Sequence, residues 1–189
     1  MIRIAVVGDI GSGKSYVAKQ FGYPVFNADA AVIQLYKKNK KCFEKLKKIL
    51  PKYIISFPVN KKEISKAIID DKNNLKKIVK IIHPEVRVSM NNFLSKNKSK
   101  KIVVLDIPLL IENKINKKKD VLVFIDAKKK EIGKRLEKRR NINPQIIKKF
   151  KKLQLPVEYK KKQSNFVIKN NFRNNSIKEN VKKVLEKIL

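Results

Sequence analysis

The sequence is poor in several residue types whose abundance would point to particular classes of protein. Its 189 residues include a single cysteine, Cys42, so no internal disulfide can form, which suits a reducing cytosol. No apolar run approaches the ~18–20 residues of a membrane span, and the apolar patch IAVV near the N-terminus is far shorter than a signal-peptide core. We therefore expect a cytoplasmic protein without a membrane partner.

Acidic residues are also scarce, since 16 Asp and Glu stand against 48 Lys and Arg, giving a formal net charge of +32. Such an excess is typical of proteins that bind nucleic acid or anionic membranes. Here nearly all the bases are lysines, which are scattered along the chain among many Asn and Ile rather than clustered as arginines on one element. We interpret the charge mainly as the coding bias of an A+T-rich genome, with an attraction for anionic substrates as a consequence.

Short β-branched runs alternate with helical patterns along the chain. Five of these runs are predicted to be strands: 2–7, 23–26, 101–106, 120–126 and 165–170. This alternation predicts an α/β fold with a five-stranded parallel sheet covered on both faces, a three-layer sandwich. Residues 31–98 carry several helical patterns with proline and asparagine breaks, which predict an inserted helical lobe in a single domain spanning 1–189. A capping box of Ser176 and Glu179 predicts the start of the last helix.

Residues 8–15, GDIGSGKS, match the phosphate-binding pattern G-x-x-x-x-G-K-[ST]. The glycines let backbone N–H groups converge on phosphate oxygens, Lys14 reaches the β and γ oxygens, and the Ser15 hydroxyl binds Mg²⁺. Asp9 is unusual, because an acid inside an anion-binding loop costs electrostatic energy unless its side chain points away. With a strand before it and a helix after it, the motif predicts an ATP site. Its residues are Gly8, Asp9, Ile10, Gly11, Ser12, Gly13, Lys14, Ser15 and Tyr16.

The carboxyl ends of parallel strands carry the functional groups of such sheets, so we expect them from Gly8 onward, at Asn27 to Asp29 and from Asp106 onward. Asp106 closes IVVLD and is predicted to bind Mg²⁺ or one of its waters, the alternative being a turn or helix cap before Pro108. Asp29 follows the second strand and is predicted to accept the proton of an attacking hydroxyl. A helix N-cap is the alternative for Asp29.

The motifs, taken in order, resemble those of one enzyme family. The matching stretches cover nearly the whole chain: GDIGSGKS, FNADA, the pair His83-Pro84, DIPLLIEN, RLEKR, Gln154 and FVIKN. In this order they resemble dephospho-coenzyme A kinase. The resemblance implies ATP-dependent phosphorylation of the ribose 3′-hydroxyl of dephospho-CoA, the last step of coenzyme A synthesis. It also implies a P-loop fold like that of the nucleoside monophosphate kinases, with a helical substrate lobe and a lid.

The resemblance also assigns roles by position. It implies that Asp29 is the general base, that His83 lies in the acceptor site, and that Arg139 reaches the ATP phosphates from a lid over residues 134–160. Arg135 lies one turn from Arg139 on the same helical face and is predicted to bind ATP as well. The alternative for both arginines is a solvated basic helix.

Other predicted acceptor contacts have equally plain alternatives. His83 could simply end a helix, because Pro84 disfavours helical geometry in the residue before it. Glu112 could pair with a base. An apolar wall beside the acceptor is predicted from PLL, although such residues are otherwise commonly core. Its members are Pro108, Leu109 and Leu110.

Several positions depart from the family pattern. Asn27 replaces the first acid of Asp-Ala-Asp, Asp9 replaces the second glycine of the usual loop, and Lys149 stands where a lid arginine is expected. Ser164-Asn165 stands where Ala-Asp is common. Because lysine cannot reproduce a bidentate grip, we expect looser binding of ATP by the lid but the same type of reaction.

Two rival functions remain open. Another small-molecule or nucleoside monophosphate kinase would usually need an arginine-rich acceptor pocket, whereas residues 31–98 contain Arg87 alone, although lysine could substitute. A nucleic-acid-associated P-loop ATPase would suit the net charge, but the sequence has no nucleic-acid-reading motif. We therefore expect dephospho-CoA as a small-molecule partner, no nucleic acid, and a monomer or weak homo-oligomer.

Overall fold

The computed structural model describes residues 1–138 and 143–189, which form two compact units. The first unit comprises Met1–Asn27, Asn97–Ile142 and Phe150–Leu189, and the second comprises Ala28–Lys96 and Asn143–Lys149. None of the helices in the described ranges combines the length and the apolar character that crossing a bilayer requires.

The elements follow one another in an order that mixes strands and helices. In chain order they are β1 (Ile2–Gly8), α1 (Lys14–Gln20), β2 (Val25–Asn27), α2 (Ala28–Lys38), α3 (Lys40–Ile49), α4 (Lys61–Asp70), α5 (Lys72–Lys96), β3 (Ile102–Asp106), β4 (Val121–Asp126), α6 (Lys129–Glu137), α7 (Pro144–Lys151), α8 (Val157–Lys162), β5 (Phe166–Lys169) and α9 (Asn174–Ile188).

The first unit is built on one sheet whose strand order is β2-β3-β1-β4-β5. Every neighbouring pair of strands is parallel, which confirms the predicted five-stranded parallel α/β fold. Alternate residues of the strands pack against α1 and α9, whose apolar positions recur at helical spacing. In β1, β3 and β4 the residues between them, such as Ala5, Val103 and Phe124, are buried too, as expected of parallel strands that are covered on both faces.

The register of the sheet gathers several polar residues at its carboxyl edge. Val6 of β1 pairs with Asp106 of β3, and Asp106 pairs with Asn27 of β2. Gly8 lies two residues beyond Val6 and ends β1. The prediction that Gly8, Asn27 and Asp106 lie along one edge of the sheet is therefore confirmed.

The second unit is helical, and α5 corrects one prediction made from the sequence. The prediction of several helices between residues 31 and 98 is confirmed, but the patterns on either side of Pro84 were expected to be separate helices, and a helix end before Pro84 was the alternative for His83. Instead α5 runs unbroken for 25 residues with Pro84 inside it. Proline removes one backbone hydrogen bond, but residues buried on either side of it, Ile78, Ile82 and Met90, hold the helix in register.

The start of α9 corrects a second prediction. The helix begins at Asn174 after an extended Arg173, without a side-chain cap, so Ser176 already lies within it. The preceding turn is organised by two asparagines, because Asn170 accepts a hydrogen bond from the backbone N–H of Phe172, and Asn171 accepts one from that of Arg173. These turn contacts allow the helix to begin two residues before the predicted capping box.

Candidate active site

The loop GDIGSGKS connects β1 to α1, as the motif requires. Gly11 and Gly13 have backbone φ angles of +87° and +90°, a region that L side chains rarely adopt. A side chain at Gly13 would also collide with the amide of Asn170. The loop therefore leads its glycine backbone into the N-terminus of α1, where N–H groups and the helix dipole favour an anion.

Lys14 lies at the start of α1 and folds back over the loop. Its ammonium group donates hydrogen bonds to the carbonyl oxygens of Gly8 and Asp9, at 3.0 and 2.8 Å. Ser15 follows it in the first turn and is exposed. The structure thus places the two side chains that are predicted to hold phosphate and Mg²⁺ next to the glycine-rich backbone.

Residues after β5 support the loop from the other side. Asn170 is buried and donates a hydrogen bond from its amide to the carbonyl oxygen of Ser12, at 2.7 Å. The sequence analysis had assigned no role to Asn170, although it ends the motif FVIKN at the carboxyl edge of the sheet.

Two predicted ATP contacts, Arg135 and Tyr16, also meet residues that follow β5. The guanidinium carbon of Arg135 lies 4.4 Å from the centroid of the Phe172 ring, a cation–π contact. The sequence analysis had assigned no role to Phe172. Tyr16 donates its hydroxyl hydrogen to Asn174 at 2.8 Å.

Asp9, the unusual acid in the loop, is paired with a lysine that the sequence had not singled out. The ammonium group of Lys160 lies 2.8 Å from Asp9 Oδ1 and 3.7 Å from Glu112 Oε1. This confirms that Glu112 pairs with a base. Nearby, Gln154 Oε1 accepts a hydrogen bond from the backbone N–H of Ile10 at 3.4 Å. Lys160 lies in a chain full of lysines, so nothing in its sequence context distinguished it.

Asp106 is the buried acid at the carboxyl edge of the sheet, only 2% exposed. Its Oδ2 accepts a hydrogen bond from the amide of Asn27 at 2.5 Å, and within the described ranges it forms no ion pair. A second carboxylate at position 27 would face Asp106 with like charge, whereas Asn27 offers a donor. The departure from Asp-Ala-Asp therefore has a local physical consequence.

The predicted apolar wall is divided between surface and core. Pro108 is exposed, Leu109 is partly buried with a left-handed φ of +55°, and Leu110 is 1% exposed. Leu110 packs in the interior, so Pro108 and Leu109 are the members with surface available to a ligand.

In the second unit, Asp29 lies in the first turn of α2 and is exposed. The helix begins at Ala28, so Asp29 is already helical and is not the N-cap residue. A carboxylate in the first turn is stabilised by the partial positive charge of the helix N-terminus. By chain position Asp29 lies two residues after Asn27, which ends β2.

His83 lies in the middle of α5, with its side chain exposed overall. Partial burial of the imidazole lowers its pKa below the ordinary 6.5, and the positive charge of Arg87 one turn later lowers it further. The neutral ring, which can donate and accept a hydrogen bond, is therefore the main form at neutral pH.

Beside Pro84, a groove of about 660 Å³ lies between α3 and α5. Its apolar part consists of Ile49, Ile81 and Pro84. One carboxylate, Glu85, also lines it and pairs with Lys45 at 3.6 Å, against four lysines: Lys45, Lys48, Lys77 and Lys80. The arginine-poor interval thus concentrates positive charge at one concave surface through lysines on two helices.

Lys149, which stands at the expected lid arginine, contacts α4 within the second unit. Its ammonium group donates hydrogen bonds to the carbonyl oxygens of Ile68 and Ile69 in the last turn of that helix. A cation at a helix C-terminus satisfies carbonyls that have no helical partner and offsets the helix dipole. Arg139, the other predicted lid residue, lies outside the described residues.

The glycine-rich loop follows the first strand of a parallel sheet, Lys14 begins the next helix, and the buried acid Asp106 ends the adjacent strand. This arrangement defines a P-loop nucleotide-binding protein. The family model described as dephospho-CoA kinase matches residues 2–178. The chain therefore belongs to the dephospho-CoA kinase family.

Individual relatives agree with this membership. The chain is 32% identical over 190 residues to a dephospho-CoA kinase from a Wolbachia of Brugia malayi, covering 98% of this chain and 97% of the relative. It is 35% identical over 170 residues to one from Bartonella quintana, covering 87% of each. A crystal structure from Thermus thermophilus is similar with a TM-score of 0.82 and 28% identity, covering 100% of this chain and 97% of that one.

Proposed function

We propose that this protein transfers the γ-phosphoryl group of ATP to the ribose 3′-hydroxyl of dephospho-CoA, forming ADP and coenzyme A. The observation that carries the proposal is the match of the dephospho-CoA kinase family across residues 2–178, in a chain that keeps an intact phosphate-binding loop. This reaction is the last step of coenzyme A synthesis.

On the donor side, the backbone of residues 8–13 binds the phosphates of ATP. Lys14 moves its ammonium group from the carbonyls of Gly8 and Asp9 to the β and γ oxygens, replacing two neutral acceptors with charged ones. Arg135, stacked on Phe172, and Arg139 complete the predicted cationic contacts to ATP. These groups stabilise negative charge on the phosphoryl group as it is transferred.

Ser15 and Asp106 are the proposed Mg²⁺ ligands. Both offer the oxygen donors that Mg²⁺ prefers, and the buried carboxylate of Asp106 has no cationic partner among the described residues. When held by these residues, Mg²⁺ would neutralise part of the negative charge of the phosphates. No group of three or more His, Cys, Asp or Glu able to hold a metal occurs in residues 1–138 and 143–189.

During transfer, Asp29 accepts the proton of the 3′-hydroxyl. The hydroxyl oxygen forms its bond to the γ-phosphorus as the bond from that phosphorus to the β–γ bridging oxygen breaks, and the electron pair leaves with ADP. The carboxylate of Asp29 is exposed in the first turn of α2, where it is open to an acceptor hydroxyl.

On the acceptor side, we propose that the lysine-lined groove beside Pro84 binds the anionic pyrophosphate of dephospho-CoA. Its lysines supply charge and its isoleucines supply apolar contact, as an acceptor with both kinds of surface requires. His83 is the proposed neutral hydrogen-bonding group, and Pro108 and Leu109 are the proposed apolar contacts.

One assay separates this reaction from its rivals. The purified protein is incubated with MgATP and, in separate reactions, dephospho-CoA, AMP, CMP, shikimate or nucleic acid, and the release of ADP is measured. We expect dephospho-CoA alone to give rapid ADP release with a matching amount of coenzyme A. Stimulation by a monophosphate alone would identify another small-molecule kinase, and stimulation by nucleic acid alone would contradict a kinase.

A further inference from the structure

The acid at position 9 presents a charge problem within the loop that the structure resolves through a distant residue. Asp9 belongs to the segment that is proposed to hold three or more negative charges of ATP, and its side chain is 29% exposed. A carboxylate at that position repels phosphates unless a cation lies beside it. Glu112, 10% exposed, adds a second carboxylate nearby.

Lys160 is the cation that lies between these two acids. Its side chain is 2% exposed, although lysine is rarely so completely buried unless paired. The ammonium group is 2.8 Å from Asp9 Oδ1 and 3.7 Å from Glu112 Oε1. Glu112 is itself fixed by a hydrogen bond from the backbone N–H of Leu155 at 3.1 Å.

We propose that Lys160 is a positioning residue for ATP: by neutralising Asp9 and Glu112, it keeps the loop able to accept a polyphosphate. It acts on ATP through Asp9 and does not touch the reacting atoms. The inference rests on the proposed use of ATP and is independent of which acceptor receives the phosphoryl group.

A purely mechanical tether between α8 and the loop would give a different result. If the contact only held the loop in place, losing either partner would weaken ATP binding, and losing both would weaken it about equally. If charge neutralisation is the function, removing the acid alone should strengthen ATP binding, because one negative charge disappears while Lys160 remains. Removing the lysine alone should weaken ATP binding, because two carboxylates then lie beside the loop without a neutralising cation.

The test is the dissociation constant of MgATP, measured by titration calorimetry without any acceptor. We expect Lys160→Met to raise it roughly tenfold and Asp9→Asn to lower it roughly threefold, with the double variant within about threefold of the unaltered protein. Lys160→Arg should restore most of the affinity. The control Lys162→Met removes the same charge from an exposed position on the same helix and should change the constant by less than about twofold.

A kinetic readout accompanies the binding data. With dephospho-CoA as acceptor, Lys160→Met should raise KM for ATP while changing kcat at saturating ATP by less than about threefold. Circular dichroism confirms that each variant is folded, and Asp9→Asn carries the test alone should Lys160→Met not fold. Weaker ATP binding by Asp9→Asn, or equal losses in the single and double variants, would overturn the inference.

The same measurements separate this inference from the proposed function. The variants could show the expected order of MgATP dissociation constants while the unaltered protein fails to phosphorylate dephospho-CoA. That result would support the role of Lys160 and contradict dephospho-CoA as the acceptor. Failure of the unaltered protein to bind MgATP would overturn both proposals.

Discussion

The two units of the molecule differ in how their polar groups are assembled. In the first, the glycine-rich loop is contiguous in sequence but is supported by residues far along the chain, among them Asn170, Lys160 and Gln154. In the second, the groove lysines come from two packed helices, and no local motif marks them.

This difference shows what each unit demands of its sequence. A loop that wraps phosphate needs particular backbone angles, and therefore glycines at fixed spacing, which a pattern can reveal. A groove between helices needs only charge and apolar surface at positions that packing brings together. The proposed donor site is accordingly more constrained in sequence than the proposed acceptor site.

The largest effect is expected at Lys14, in the glycine-rich loop of the first unit. We expect Lys14→Ala to reduce turnover below detection, because the loop then lacks the side chain that holds the β and γ phosphate oxygens. ADP release with dephospho-CoA measures the effect. Lys19→Ala, an exposed lysine on the same helix, is the control and should retain activity. Near-normal turnover by Lys14→Ala would mean that the loop is structural.

The next largest effect is expected in the second unit. Asp29→Asn should lower kcat by ~10²–10⁴, because the amide cannot accept the proton of the attacking hydroxyl. Calorimetry should find the dissociation constant of MgATP nearly unchanged. Glu44→Gln removes an equal charge from an exposed position on α3 and should leave kcat intact. An unchanged kcat in Asp29→Asn would assign the base to another residue.

A smaller effect would sharpen the contrast between donor and acceptor binding. Replacing both Lys77 and Lys80 by Met should raise KM for dephospho-CoA by roughly tenfold while leaving KM for ATP unchanged, because two charges facing the groove are lost. Replacing Lys61 and Lys62, two exposed lysines of α4, is the matched control. Equal changes in both KM values would place the acceptor's anionic groups elsewhere.

The contrast also explains what the sequence could and could not predict. Strand periodicity and the loop motif correctly predicted the parallel sheet and the edge that carries Gly8, Asn27 and Asp106. Pro84 misled because a local preference against helix was overridden by the packing of α5 on both sides of it. Ser176 misled because two asparagine turns begin the last helix earlier.

Contacts between distant residues were the main omission. The pairing of Asp9 with Lys160 joins positions 151 residues apart, and no periodicity within either segment encodes it. Asn170 was closer to detection, because it ends a predicted strand at the functional edge of the sheet. The burial of Lys160 could not be predicted, since a single buried lysine has no distinguishing signal in a chain with so many other lysines.

The smallest expected effect concerns the pKa of His83. It tests whether burial and Arg87, both within the second unit, determine that pKa. Because His83 is the single histidine, its ring protons can be followed by NMR through a pH titration. We expect a midpoint below the ordinary pKa of 6.5, chiefly because burial disfavours the charged ring and also because Arg87 repels it. Arg87→Met should raise the midpoint without restoring the ordinary value, since burial remains the larger cause. Lys96→Met, at the far end of α5, is the control.

The sign of the accompanying stability change follows from linkage. A histidine whose pKa is lowered in the folded state binds more protons when unfolded, so its stabilising contribution is present above pH 6.5 and is lost as pH falls through the folded pKa. Thermal unfolding of the unaltered protein should therefore show His83 destabilising the fold on acidification, and Arg87→Met should reduce that dependence. A midpoint above 6.5 in the unaltered protein would mean that an acid, rather than Arg87 and burial, governs this ring, and the neutral hydrogen-bonding role proposed for it would fail.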